Sequence, residues 1–456
     1  MTARRAPLYS ACSILIAGLL MSGVYGDDLQ PSGGHVRSIE VRTTPELLAA
    51  LAPTNTAVRE IRLAVGRYAL DRPLVVPDGT TLVGAGTMQY AADGTPAGFA
   101  NGTESAIVAA TPFEGDLVTL GNATTLRRLA VRDRDGADTS RSGNVVAVGS
   151  RTPHDAITAT IDACEIDTPN SLGIGVTGPT GNAVIVLTRN PSLAGDPFPH
   201  EASTLDVEIT GSVLRSSATG GALFVVNFAA RTDTRVRLAH NRVEGALVAS
   251  GGVNRPDQVD HSTVSIASQR NLYVAPPGDA GYPAWVLLGA SSPPHMSTAG
   301  TIGPSSNRLR AASIGDRIDG FETGVFGAAA RRFESGSGPL YDNSLEIDLS
   351  ELRLHTVGPG AADFAIYAAQ AASPDATLPV GERNVVRVRM RAVDGSGARA
   401  NEYAERKPVG SNASNSTDRK NGADTNRIEF VGNASEFRHV NANVDPPPAP
   451  DRFVER

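Results

Sequence analysis

LDVEITGSVL, residues 205–214, sets Leu205, Val207 and Ile209 on one side of an extended chain and Asp206, Glu208 and Thr210 on the other. A period of two is the mark of a strand with one buried face. Gly211 and Ser212 interrupt the run before Val213 and Leu214 resume it. The same design returns in ITATIDACEI (157–166), VRLAHNRV (236–243), VSIASQRNL (264–272), LEIDLSEL (345–352) and VRVRMRAV (386–393). Taking Ile209, Leu238 and Ile266 as equivalent gives separations of 29 and 28 residues. Self-similarity at a near-constant period is the signature of stacked coils. Larger steps, as from Ile347 to Val388, mean that some coils carry long insertions.

Stacking such coils about 4.8 Å apart turns the inward Val, Ile, Leu and Ala into continuous rows, and Gly or Asn at the bends permits left-handed backbone. Asn241, Asn271, Asn307 and Asn433 follow comparable apolar positions. They read either as a ladder at one corner or as ordinary loop amides. The open end of a tube needs a cover, because unpaired strand edges recruit other chains. Residues 44–52 supply one: Thr44 as N-cap, Pro45 in the first turn, Glu46 at the positive end, and Leu47, Leu48 and Leu51 on one side.

Directly after that helix comes REIRLAVGRYALDRPLVVPDGTTLVGAG (59–86). A short Leu-rich helix, then strand-Gly-x-Tyr, then Pro-Leu-x-Val-Pro-x-Gly-Thr-Thr-Leu-x-Gly-x-Gly resembles the opening coils of pectate-lyase-like β-helix proteins. The resemblance is close over the first 60 or so residues of the mature chain and rests on periodicity beyond them. It implies an all-β, right-handed parallel β-helix with a short N-terminal capping helix.

The N-terminus reads as a secretory signal: Arg4 and Arg5, an apolar run from Leu8 to Met21, and small residues around Val24-Tyr25-Gly26. The run is too short for a bilayer, which needs roughly 20 apolar residues. The expected layout is a signal at 1–26, a linker at 27–42, the capped β-helix at 43–394, a polar excursion at 395–426, a last strand region at 427–440 and a Pro-rich tail at 441–456. Only Cys164 survives signal removal, so no disulfide forms within one chain. Loss of Arg4 and Arg5 moves the formal charge from −7 to −9, which disfavours nucleic acid as a partner. The expected location is secreted or periplasmic, with no transmembrane segment in the mature chain.

This fold hosts several chemistries, so function must come from residues. The Gly-His-Gly and Arg-Ile-Lys strings of polygalacturonase-like hydrolases are absent, and Arg427-Ile428-Glu429 has an acid where that family has a base. Val259-Asp260-His261-Ser262 resembles one pectate-lyase element, but no arginine loop accompanies it. Thr152-Pro153-His154-Asp155 approximates the Asp-Pro-His-Asp string of mannuronan epimerases, with Asp196-Pro197-Phe198-Pro199-His200-Glu201 a looser version. A carboxylate beside a His can orient the imidazole for proton abstraction; the competing reading is a turn that hydrogen-bonds itself. The densest acidic stretch is Arg132-Asp133-Arg134-Asp135-Gly136-Ala137-Asp138. If Val131 stacks on Ile161, Arg132 lies over Asp162 and Asp135 near Glu165, giving an ion pair and a carboxylate pair suited to acid–base work or to calcium.

The chain is 5% aromatic with one tryptophan, Trp285, which reads as a packing residue at a strand edge. That scarcity weakens stacking on neutral sugars and leaves arginine-mediated uronate binding open. Two functional expectations follow. One is a polysaccharide lyase, hydrolase or epimerase using His154, Asp155, Asp133 and Asp135. The other is a non-catalytic exported β-helix for adhesion or for binding a polysaccharide or cell-surface glycan.

Overall fold

The structure is a computed structural model that describes residues 37–431 apart from 53–57, 112, 114, 134–142, 169–180, 189–200, 217–220, 254–258, 279–280, 293–302, 333–338, 372–380, 396–401 and 408–425. The described residues form one compact unit. All but two of the described strands fall into three long sheets of 12, 9 and 10 strands, which we label A, B and C. Successive strands visit A, then B, then C, and each pairs in parallel with its counterparts one coil away. That is a parallel β-helix.

The inward rows make the core. Leu126, Ile161, Ile209 and Leu238 stack in sheet A, and Val131, Ile166, Leu214, Val243 and Tyr273 in sheet B, all essentially without exposure. Each such side chain contributes roughly 1.5–3 kcal/mol by leaving water. Trp285 lies between Leu247 and Val325 in sheet C, edge-on to Tyr273 with ring centroids 5.4 Å apart. It is fully buried inside the tube rather than at a strand edge.

Two stacking expectations need correction. Leu238 pairs with Ser268, and Ile266 with Val236, so the true repeat there is 30 residues, not 28. A slip of two preserves the inward side of every residue, so the burial pattern does not reveal it. Val131 stacks on Ile166 instead of Ile161, because Val131 is in sheet B whereas Ile161 lies in sheet A above Leu126. Consequently Arg127, not Arg132, pairs with Asp162, at 3.0 Å.

The helix Thr44–Ala50 closes the N-terminal end with Leu47, Ala50 and Leu51 buried. Its N-cap is Thr43, one residue before the expected Thr44: the Thr43 hydroxyl accepts from the Glu46 N–H, and Glu46 accepts from the Arg42 N–H at 2.6 Å. The expected linker already contains the strand Arg37–Val41, paired with Val58–Leu63, and the polar excursion contains the strand Glu402–Lys407. Arg427–Val431 is the last strand of sheet A.

Polar ladders hold the corners. Between sheets A and B the Ser212 N–H donates to Asn241 Oδ1, the Asn241 N–H to Asn271 and the Asn271 N–H to Asp316. Between C and A the chain of donors runs Ser262, Asn307, Asn343, Asn384, Asn426. Asn241, Asn271 and Asn307 are therefore ladder residues, in two different ladders; Asn433 lies outside the described residues. The left-handed backbone falls not on Asn241, Asn271, Asn307, Asn343 and Asn384 but on the residue before each of these, as at His240 (φ 56°) and Arg270 (φ 51°). The ladder bond and the inter-coil bond of the left-handed residue's own N–H, such as His240 to Gln269, hold that strained turn in place.

Candidate functional site

On the outer face of sheet A, charges stack rung on rung. One row reads Asp206, Arg235, Ser265, Arg310, Glu346, Arg387, Glu429, and its neighbour reads Glu208, Arg237, Ala267, Ala312, Asp348, Arg389, Val431. Local sequence puts these side chains outward, since each occupies a polar position of an alternating strand. Arg237 meets Asp206 at 2.9 Å, Arg310 meets Glu346 at 3.0 Å, Arg387 meets Glu429 at 2.7 Å, and Arg389 meets Asp348 at 3.0 Å. Arg235 pairs with Asp233 of its own strand. Exposed pairs of this sort add little stability each, about 0–1 kcal/mol.

Where Ser265, Ala267 and Ala312 stand, the side chains are short and the face sinks into an open depression of about 500 Å³. It is rimmed by Arg235, Arg237, Arg310, Arg387 and Arg389, against two carboxylates, Glu346 and Asp348. A protein with a formal charge of −7 thus carries a groove edged with arginines, each of them ion-paired. A second, smaller hollow on the same sheet is lined by Thr125, Thr158, Thr160, Asp206 and Glu208. The two share Arg237, so they run on from each other across the rungs.

Sheet B carries a different arrangement. Glu165 is buried and accepts from Arg215 at 2.7 Å, Arg132 at 3.0 Å and the Phe99 N–H at 2.9 Å. Burial pushes its carboxyl up, but the Phe99 N–H and the two guanidiniums outweigh that and hold it below the usual carboxylate range. Asp167, next on the same face, goes the other way because burial exceeds the pull of Arg215. Phe99 belongs to a hairpin, Met88–Tyr90 with Pro96–Phe99. Arg215 also donates to the Ala97 carbonyl, and Arg317 meets Asp93 near the hairpin turn at 2.7 Å. From Glu165 to Arg317 is four rungs, about 19 Å, which matches six extended residues from Phe99 to Asp93. The hairpin therefore lies lengthwise on sheet B as a strap, and its Gly98 (φ 117°) sits where a Cβ would press on Glu165. Outward residues in the later coils of sheet C, among them Val248, Val286, Phe326 and Ala365, are apolar and buried.

The residues singled out in the sequence do not converge. His154 is exposed and left-handed (φ 63°), and its N–H donates to the Glu201 carbonyl. Arg231, His261, Ser306, Asp342 and Arg383 hold the same left-handed place at the C-to-A corner of later coils. Asp155 accepts from the Arg151 N–H, the Thr152 N–H and the Thr152 hydroxyl, a turn bonded to itself. Asp133 is buried at the end of the sheet B strand Ala130–Arg132, at another corner of the tube. Asp135 lies outside the described residues, as do 196–200. No group of three His, Cys, Asp or Glu side chains suited to a metal occurs among the described residues. No helix among them is long and apolar enough to cross a membrane. The sheet A groove was missed, although its signal was available: the polar positions of the quoted strands switch sign from coil to coil.

No protein-family model matches this sequence, and no curated protein or solved structure is significantly similar to it.

Proposed function

We propose that this chain is an exported protein of the pectate-lyase-like β-helix kind that binds an extracellular polysaccharide along the outer face of sheet A. The observation that carries the reading is the groove across the rungs at Ser265, Ala267 and Ala312, open at the surface and edged with guanidiniums. An extended glycan needs a long, shallow, hydrogen-bonding track, and a solenoid supplies one because its face grows rung by rung. The signal-like start, with Arg4 and Arg5 before an apolar run, supports a secreted or periplasmic destination.

Binding without turnover is the form the geometry favours. Glu346 and Asp348, the carboxylates of the groove, already accept from Arg310 and Arg389, which suits them poorly to moving protons. Retention of the purified mature protein in gels cast with different polysaccharides tests the reading, alongside assays for new reducing ends and unsaturated uronates. The expected result is retardation by at least one polymer with no product. Free migration in every gel would remove the proposal, and product formation would replace binding with catalysis.

A further inference from the structure

From Asp206 to Glu429 the outer row of sheet A alternates in sign at every rung but one. Asp206, Arg235, then Ser265, then Arg310, Glu346, Arg387 and Glu429 follow each other as cross-strand neighbours. An acid at position 265 would complete the series. In its place stands a small hydroxyl, with Ala267 beside it on the same strand. The flanking cations turn to other partners: Arg237 to Asp206, Arg235 to Asp233, and Arg310 to Glu346. Two guanidinium rungs thus face each other across one uncharged rung, two strand spacings or roughly 10 Å apart, at the floor of the groove. Each of these guanidiniums keeps a carboxylate partner, which leaves part of its five N–H donors free to meet a second anion at the uncharged rung.

We infer that the rung of Ser265 and Ala267 is the seat for an anionic group of the bound polysaccharide, a sugar carboxylate or sulfate held by Arg235, Arg237 and Arg310. This rests on the polysaccharide reading above and names the class of sugar. Arginine suits the task because its planar fork takes a carboxylate or sulfate in two parallel hydrogen bonds. The ligand supplies the charge that the row lacks, so neutral glycans lose the main contact while acidic ones keep it.

The test inserts the missing acid. Ser265→Glu gives the row its own carboxylate, and Ser265→Gln has the same size without charge. Full-length mature protein is measured against polygalacturonate, dextran sulfate and unmodified dextran. Wild type is expected to hold one or both polyanions in a salt-sensitive manner; the preferred one separates carboxylate from sulfate as the source. Ser265→Glu is expected to weaken that binding at least about tenfold, the weight of one charge-assisted contact. Its melting temperature stays level or rises, since it completes an ion-pair row, and Ser265→Gln stays within about threefold of wild type. Polyanion binding unmoved by Ser265→Glu in a folded variant overturns the assignment but leaves polysaccharide binding standing. Equal affinity for dextran does the same. Failure to bind any of the three, together with free migration in every polysaccharide gel, takes away the underlying reading.

Discussion

Asn343→Ala probes what keeps the coils in register. Asn343 is fully buried at the C-to-A corner. Its Oδ1 accepts from the Asn307 N–H at 3.0 Å and its Nδ2 donates to the Pro304 carbonyl at 3.0 Å. Alanine removes these bonds and a third, from Nδ2 to Asn384 Oδ1, and strands two backbone groups away from water. Each costs about 1–3 kcal/mol, so with the small cavity added we expect a loss of roughly 3–5 kcal/mol. Ser262 shows how serine copes in the same ladder: its hydroxyl accepts from the Thr232 N–H at 3.2 Å and donates to the Ala229 carbonyl at 2.9 Å. Asn343→Ser should therefore cost less than half as much as alanine. Trp285 is the only tryptophan and is fully buried, so its fluorescence reports the interior during urea unfolding, with far-ultraviolet dichroism as a second signal. Coincident transitions license free energies from the midpoints. An alanine cost below about 1 kcal/mol, or serine as harmful as alanine, would refute the ladder argument.

Other outcomes follow from buried charges. Asp316 ends the A-to-B ladder, accepting from Asn271 and Ser313 and making no ion pair among the described residues; burial raises its pKa and those hydrogen bonds only partly lower it. A raised carboxyl favours the native state at low pH, and stability falls as pH climbs from about 3.9, the unfolded value, through the native one. Asp316→Asn should then match wild type below that window and exceed it at neutral pH in thermal melts; a pH-independent difference refutes this. Glu165 has the opposite sign, its contribution being present above about 4.3 and lost as pH falls through its lowered native value. Glu165→Gln leaves Arg132 and Arg215 short of an anion under the strap, so a loss of about 3 kcal/mol and faster proteolysis near Tyr90–Thr95 at neutral pH are expected. Unchanged proteolysis there would mean that Glu165 does not hold the strap. The Cys164 thiol is buried and pushed up to about 12, so it should resist thiol reagents until the chain unfolds. Stoichiometric labelling of native protein would contradict its placement.

The strands were legible because burial on one face forces alternation, and alternation is local. LDVEIT, VRLA and LEIDL state which residues point inward before any partner is known. The helix at the N-terminal end was legible too, since Pro45, Glu46 and the leucines act within one turn. Stacking partners were not. Val131 has equally suitable isoleucines at 161 and 166, and which one it meets depends on how the three sheets share a coil, which short strings do not encode. A two-residue slip, as at Leu238, costs nothing in pattern and so leaves no trace in it.

The candidate sites divide along the same line. His154 and Asp155 drew notice as neighbours in sequence, yet their neighbours in space give them corner duties. The strap joins Asp93 to Arg317 across 224 residues, and only folding brings such groups together. The uncharged rung at Ser265 is invisible until Arg235 and Arg310 are set on either side of it. By itself the sequence determined which side of each strand is buried, because that depends on adjacent residues and water. Tertiary structure alone decided which charges oppose one another, because those distances are set by how distant coils close.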